Sequence, residues 1–156
     1  MLIILGILFM LLMLFSIVTI MAGGSLLALG ILTDLPAALF ILIPLTFFLI
    51  VTKSGKVIRR YIKSSFIKEY TYTKIELNSI TTAIKNIIKF LLASGGFCFF
   101  IGIMAAFAFF FEKQLLGPII VSSILSLFYA IAFGFFVFFP TQAWAENKIN
   151  ALSENG

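Results

Sequence analysis

The chain has 156 residues, 62% hydrophobic and 11% charged, with a net charge of +5 and a mean hydropathy of +1.21. A soluble domain of that composition would need a core with almost no surface around it, so the chain reads as a polytopic membrane protein. It has no His and one cysteine, Cys98, which excludes an intramolecular disulfide and a His/Cys metal site within one chain.

A bilayer core about 30 Å thick takes roughly 20 apolar residues of helix. Residues 1–21 carry no charge and form the first candidate span. They lack a basic leader, their apolar run exceeds the usual length of about 7–15 residues for a signal peptide, and no A-x-A-like site follows. A retained helix is expected. The glycine-rich turn over 23–34 ends in Asp34-Leu35-Pro36, an N-cap carboxylate followed closely by proline, which opens a second span over 35–51.

Between 53 and 89 stand nine of the eleven Lys and Arg residues. The positive-inside bias makes this segment cytoplasmic. The net charge then reflects topology and contact with anionic headgroups of membrane lipids, and no nucleic-acid partner is expected. The segment reads as two amphipathic helices broken near Thr71-Tyr72-Thr73. In the first, Ile58, Ile62 and Phe66 share a face. In the second, Leu77, Ile80, Ile84, Ile87 and Leu91 form a stripe that runs without a breaker into a third span over 90–111. A single helix of about 35 residues, projecting some 20 Å into the cytoplasm, is the simplest reading; an interfacial hairpin on the headgroups is the alternative. Gly117-Pro118 closes a short outer turn that begins at Glu112, and a fourth span covers 119–139.

The expected fold is all-α, a polytopic membrane protein with four transmembrane helices, spans three and four extended into the cytoplasm. Its parts are a first helix pair with its outer turn (1–52), a basic cytoplasmic helical segment (53–89), a second helix pair (90–140) and a cytoplasmic C-terminal helix (141–156). Both termini are then cytoplasmic.

Small residues line spans three and four. Gly95, Cys98, Gly102 and Ala106 mark the first stripe, and Ser122, Ser126, Ala130 and Gly134 the second. Such stripes allow close approach of helix backbones, the means by which membrane helices associate. Tight packing is one reading of them; a polar pathway at Ser122 and Ser126 is the other. No span holds Asp, Glu, Lys or Arg in its apolar core, where such a group would mark a proton relay or substrate site. No P-loop, nucleophile–base set or zinc motif is present. The chain is not expected to be an enzyme or to hold a cofactor. If ions move through it, the titrating carboxylate belongs to a partner.

Several short features occur in order along the chain: the start MLIILG, Gly23-Gly24-Ser25-Leu26 with Ala28-Leu29, Gly55-Lys56-x-Ile58, Tyr72-Thr73-Lys74, and Leu115-Leu116-Gly117 set a helix length before Pro140. Together they resemble the MotA/TolQ/ExbB proton channel family, and within it a shortened form of the MotA branch of flagellar stator subunits. The resemblance implies a bacterial inner-membrane protein, a homo-pentamer around two copies of a single-span MotB/ExbD/TolR-like partner that supplies the ion-carrying Asp. Ion flow would drive rotation of the ring. Spans three and four would line the channel through Cys98, Phe99, Ser122, Ser126 and Leu127, with Pro140 as a helix-end hinge and Gly95, Gly102, Ala106, Ala130 and Gly134 as packing positions.

The chain also departs from that pattern. MotA carries a much longer cytoplasmic domain, and only the segment 53–89 stands in its place. The family's proline at the entrance to span three falls on Leu92. Its channel-facing threonines fall on Leu127 and Phe99. A diverged, non-conducting scaffold with the same ring is the alternative function.

Overall fold

A computed structural model describes residues 4–9, 11–12, 16, 35–67, 70–108, 110 and 113–154. Among them every regular element is helical and none is a strand. Residues 4–9, 11–12 and 16 are helical; the rest of the first expected span, the glycine-rich turn, Asp34 and Glu112 lie outside the described residues. Five α-helices follow: α1 Leu35–Val51, α2 Ser54–Ser65, α3 Lys74–Ala108, α4 Lys113–Ala132 and α5 Phe139–Glu154, with a π-helical segment, Phe133–Phe138, joining α4 to α5.

Two of these helices are long and apolar enough to cross a membrane: α3, and the continuous rod of α4, π segment and α5, which spans Gln114–Ser153. A third span is available if α1 and α2 form one broken unit. The molecule is a membrane protein built on transmembrane helices. Its α3 has 35 residues, about 52 Å of helix, so only part of it fits within hydrocarbon. The stripe Leu77, Ile80, Ile84, Ile87 and Leu91 is buried along its whole length and gives α3 the seam on which everything else packs.

α1 ends at a sharp corner. Lys53 takes a left-handed conformation, φ 56°, and the chain turns by 92° into α2. A side chain bearing a Cβ adopts that conformation at a cost, so the corner is a defined joint. α2 then crosses the start of α3. Its buried residues are Ser54, Tyr61 and Ser64, with Val57, Ile58 and Ile62 half-buried beside them. Phe66, expected on the apolar face, is 71% exposed instead. It is the C-cap residue, one position beyond the end of α2.

The break near Thr71-Tyr72-Thr73 is the start of α3, and a capping box fixes it. The Thr73 N–H donates to Glu76 Oε2 at 3.1 Å while the Glu76 N–H donates to Thr73 Oγ1 at 3.3 Å. On the far side of α3 the outer turn is shorter than expected. α4 begins at Lys113, so Gly117-Pro118 lies inside the helix, in its second turn.

Pro140 gives the main correction to the expected helix end. The rod does not stop there; α5 continues through it to Glu154. Proline has no N–H, and its ring presses on the carbonyl four residues back, that of Phe136. The π segment just upstream widens the turn, with the Phe139 N–H reaching back five residues to the Gly134 carbonyl. Gly6 of the N-terminal segment packs directly on this place. A Cβ on Gly6 would collide with the Phe136 carbonyl oxygen, so only glycine permits the approach. The Phe9 and Phe136 rings meet beside it, with centroids 5.7 Å apart.

Candidate functional site

The most extensive helix contact is the antiparallel seam between α3 and α4. Its geometry follows from residue size. A Cβ on Gly95 would collide with the Ala130 methyl, and one on Gly102 with the Ser123 hydroxyl. Gly95 and Gly102 are seven residues apart, as are Ser123 and Ala130, so two turns of one helix meet two turns of the other. Ala106 and Ala130 are buried. Gly134 is also buried but less crowded; a Cβ there would reach Ile88 only at 4.0 Å. Within one chain, then, the space at Gly95 and Gly102 is filled by Ala130 and Ser123 of the facing helix.

The proposed channel wall is divided by this seam. Cys98, Ser122 and Ser126 line one cavity of about 370 Å³, together with Gly102, Ser123 and Phe40 of α1. Phe99 and Leu127 are half-buried and line no part of it. One residue is a 100° step around a helix, so Phe99 and Leu127 sit across the seam from Cys98 and Ser126. The five residues do not form one wall.

The hydroxyls in the seam are committed. Ser123 Oγ donates to the Ile119 carbonyl at 2.6 Å and Ser126 Oγ to the Ser123 carbonyl at 2.8 Å. Both are bonds to their own helix, the usual resort of a serine in apolar surroundings. Ser126 is 2% exposed and presents no hydroxyl to an open face. Cys98 Sγ makes a weak contact with the Phe40 carbonyl at 3.9 Å. Ser123, absent from the sequence-derived set, holds the central place opposite Gly102. The matching spacings of seven on the two helices are the signal that finds it.

A second constellation stands at the basic end, where α2, the start of α3 and α5 meet. Tyr61, Tyr72 and Trp144 form an aromatic cluster with centroids 5.3–6.4 Å apart, and Tyr70 packs edge-on against Tyr72 at 4.8 Å. Lys148 Nζ lies 5.1 Å from the Tyr72 ring centroid and 5.2 Å from that of Trp144, within cation–π range of both. Ser64 Oγ and Tyr72 OH share a hydrogen bond of 2.7 Å.

Glu76 ties this end together. Besides its capping bonds it accepts from Tyr70 OH at 2.9 Å and pairs with Arg60 at 3.3 Å. The Thr73 N–H, the Tyr70 hydroxyl and Arg60 hold its carboxyl below the usual carboxylate range. On the opposite flank Lys85 bridges to Glu146 at 2.8 Å, and Gln142 donates to the same oxygen at 3.1 Å. Sequence reasoning assigned none of these residues a role, although Thr73-x-x-Glu76 is a readable capping signature. Among the described residues no group of three or more His, Cys, Asp and Glu side chains is placed to hold a metal ion.

Comparison with protein-family models, with curated proteins and with solved structures finds no match to this chain.

Proposed function

We propose that this chain is a ring subunit of the MotA/TolQ/ExbB kind, working in an ion-driven, proton-coupled membrane motor or energy-transducing channel. In this reading it has four spans, both termini in the bacterial cytoplasm, and assembles as five copies around a dimer of a single-span, MotB/ExbD-like partner. One observation carries it. Two long antiparallel helices form the body of the molecule, and residues 90–108 and 114–139 of them contain no Asp, Glu, Lys or Arg. A pair of such helices supplies a wall and leaves proton carriage to a carboxylate on another chain.

Native mass spectrometry in mild detergent tests the assembly: five copies, with two of a partner, are expected, and a stable monomer across detergents refutes the ring. Orientation is tested with single cysteines in a Cys98→Ala background. Ser79→Cys and Asn150→Cys, both on exposed positions, should be protected from impermeant thiol reagents in intact cells, and Ser25→Cys should react.

The non-conducting scaffold is favoured by a separate observation. Ser126 spends its hydroxyl within its own helix, and the two positions where relatives carry channel threonines hold Phe99 and Leu127. Cytoplasmic acidification in cells co-expressing an unplugged partner decides between the two. Flux that Ser126→Leu or Pro140→Ala reduces, with the complex intact, supports the motor. Intact complexes of all three forms that carry no flux support the scaffold.

A further inference from the structure

We infer that the corner between α1 and α2 is a binding site for the headgroup of an anionic phospholipid. The argument begins where the apolar run of α1 stops. Phe47, Ile50 and Val51 are 61–71% exposed at its last turns and make an apolar strip. Thr52 and Lys53 follow at once, so polarity changes within two residues. In a helix that enters hydrocarbon, such a change marks the headgroup level.

At that level the molecule has a groove of about 490 Å³ between the corner and α3. Its floor is apolar, with Val57, Ile75 and Ala83, and its walls carry polar side chains, one cation and no acid. Lys53 stands on one wall beside Thr52 and Ser54. The other wall carries Asn78, Thr82 and Asn86, spaced by four on α3 and all exposed, so two amides and a hydroxyl form one ladder. Lys89, three residues beyond Asn86 and also exposed, falls on the same side of that helix.

The pairing of strip and groove selects the ligand. A phosphate diester accepts hydrogen bonds from ammonium, amide and hydroxyl donors, and all three line the groove. A free anion has no use for the exposed strip above it. A phospholipid fits both parts, with acyl chains along Phe47, Ile50 and Val51 and the phosphate beside Lys53. Glu76, the nearest acid along α3, is already held by Arg60, Tyr70 and Thr73 and is not part of the lining. This inference stands apart from the ring: a monomer carries the site as well as a pentamer does.

The test uses the purified full chain in detergent with equal amounts of phosphatidylglycerol and phosphatidylcholine, and counts retained lipid by native mass spectrometry. Wild type should retain phosphatidylglycerol in about fivefold excess, the ratio that one lysine near an anionic surface is worth. Lys53→Asn, which keeps a residue tolerant of the left-handed backbone, should abolish the preference. Lys53→Arg should preserve it, and Asn78→Ala with Asn86→Ala, which removes donors to the diester that both lipids share, should lower the total lipid retained. Arg59→Gln with Lys63→Gln removes two cations outside the groove and should leave the preference in place. Loss of preference in that control as strong as in Lys53→Asn would mean diffuse charge, and would overturn the site. So would full retention in Lys53→Asn, loss in Lys53→Arg, or complete displacement of the lipid by millimolar inorganic phosphate.

Discussion

The two ends of the α3 pairing are built on opposite principles. Toward the C-terminal half of α3, α3 and α4 touch through their smallest residues, with Gly95 on Ala130 and Gly102 on Ser123. Toward the basic side, the contacts with α2 and α5 are made by the largest side chains, Tyr61, Tyr72 and Trp144, with Lys148 over two of the rings. The solvent explains the difference. Hydrocarbon gives apolar side chains no reason to leave it, so helices hold together by backbone proximity and dense dispersion contacts. Water expels large apolar rings, so burial of aromatic area is the stronger device where water is present.

This contrast makes the aromatic end the more costly to damage. Tyr61 is buried to 3% exposure in a core with Leu77, Ile80 and Ile84, and it touches both Tyr72 and Trp144. Tyr61→Ala should destabilise the chain by about 3 kcal/mol, the usual order for emptying a buried aromatic site. Denaturant titration in mild detergent, followed by Trp144 fluorescence, measures it. Trp144 is the chain's only tryptophan, so the signal reports on this cluster alone. A loss below about 1 kcal/mol would mean that the cluster is a surface feature, contrary to its burial.

The seam is broken by adding atoms. Gly102→Leu must displace Ser123 and should cost about 1–3 kcal/mol by overpacking. Gly95→Leu should behave alike against Ala130. Gly96 is the control, because nothing lies within 4 Å of a Cβ there, and Gly96→Leu should fall within about 0.5 kcal/mol of wild type. The same three variants separate an interface within the chain from one between copies. If Gly102→Leu leaves the thermal transition of the detergent-solubilised monomer unchanged but prevents assembly, the stripe faces another copy and the seam is misplaced.

Much of this was legible from spacing. The α3 stripe from Leu77 to Leu91 is buried throughout, because one apolar face of period 3.6 has a single way to hide. The break at Thr71-Tyr72-Thr73 was readable for the same reason: the stripe restarts there. Pro140 was not. Sequence rules give proline the power to end a helix, but six residues of π-helix upstream absorb its missing N–H, and nothing in FGFFVF announces that. Ser123 was missed for a related reason, although Ser122 and Ser126 do line one cavity with it. A stripe of period four drifts around a helix, and only the partner's spacing, Gly95 to Gly102, fixes which serine faces inward. The 92° corner at Lys53 was also invisible, since a left-handed lysine carries no sequence signature.

A smaller effect sharpens the comparison at its boundary. Thr73 and Glu76 cap the N-terminus of α3 reciprocally, so Thr73→Ala should cost about 1 kcal/mol, as loss of an N-cap does. The chain's thermal transition should fall accordingly, while Thr82→Ala, on an exposed turn of the same helix, should leave it unchanged.

The smallest effect is a dependence on pH, and it tests whether the start of α3 favours an ionised Glu76. The Thr73 N–H, the Tyr70 hydroxyl and Arg60 favour its ionised form, so its pKa in the folded chain lies below that in the unfolded chain. The sign follows directly. Where the folded pKa is the lower one, the stabilisation is complete above the unfolded value, near pH 4.3, and disappears as the pH falls through the folded value. Wild type should therefore exceed Glu76→Gln in thermal stability at pH 7, and the gap should close between about pH 4.3 and lower values. Salt should narrow the part that belongs to Arg60, whose side chain is 74% exposed, and leave the Thr73 and Tyr70 bonds. A gap that stays constant down to pH 3 would show that Glu76 titrates alike in the folded and the unfolded chain, and that Thr73, Tyr70 and Arg60 do not favour its ionised form.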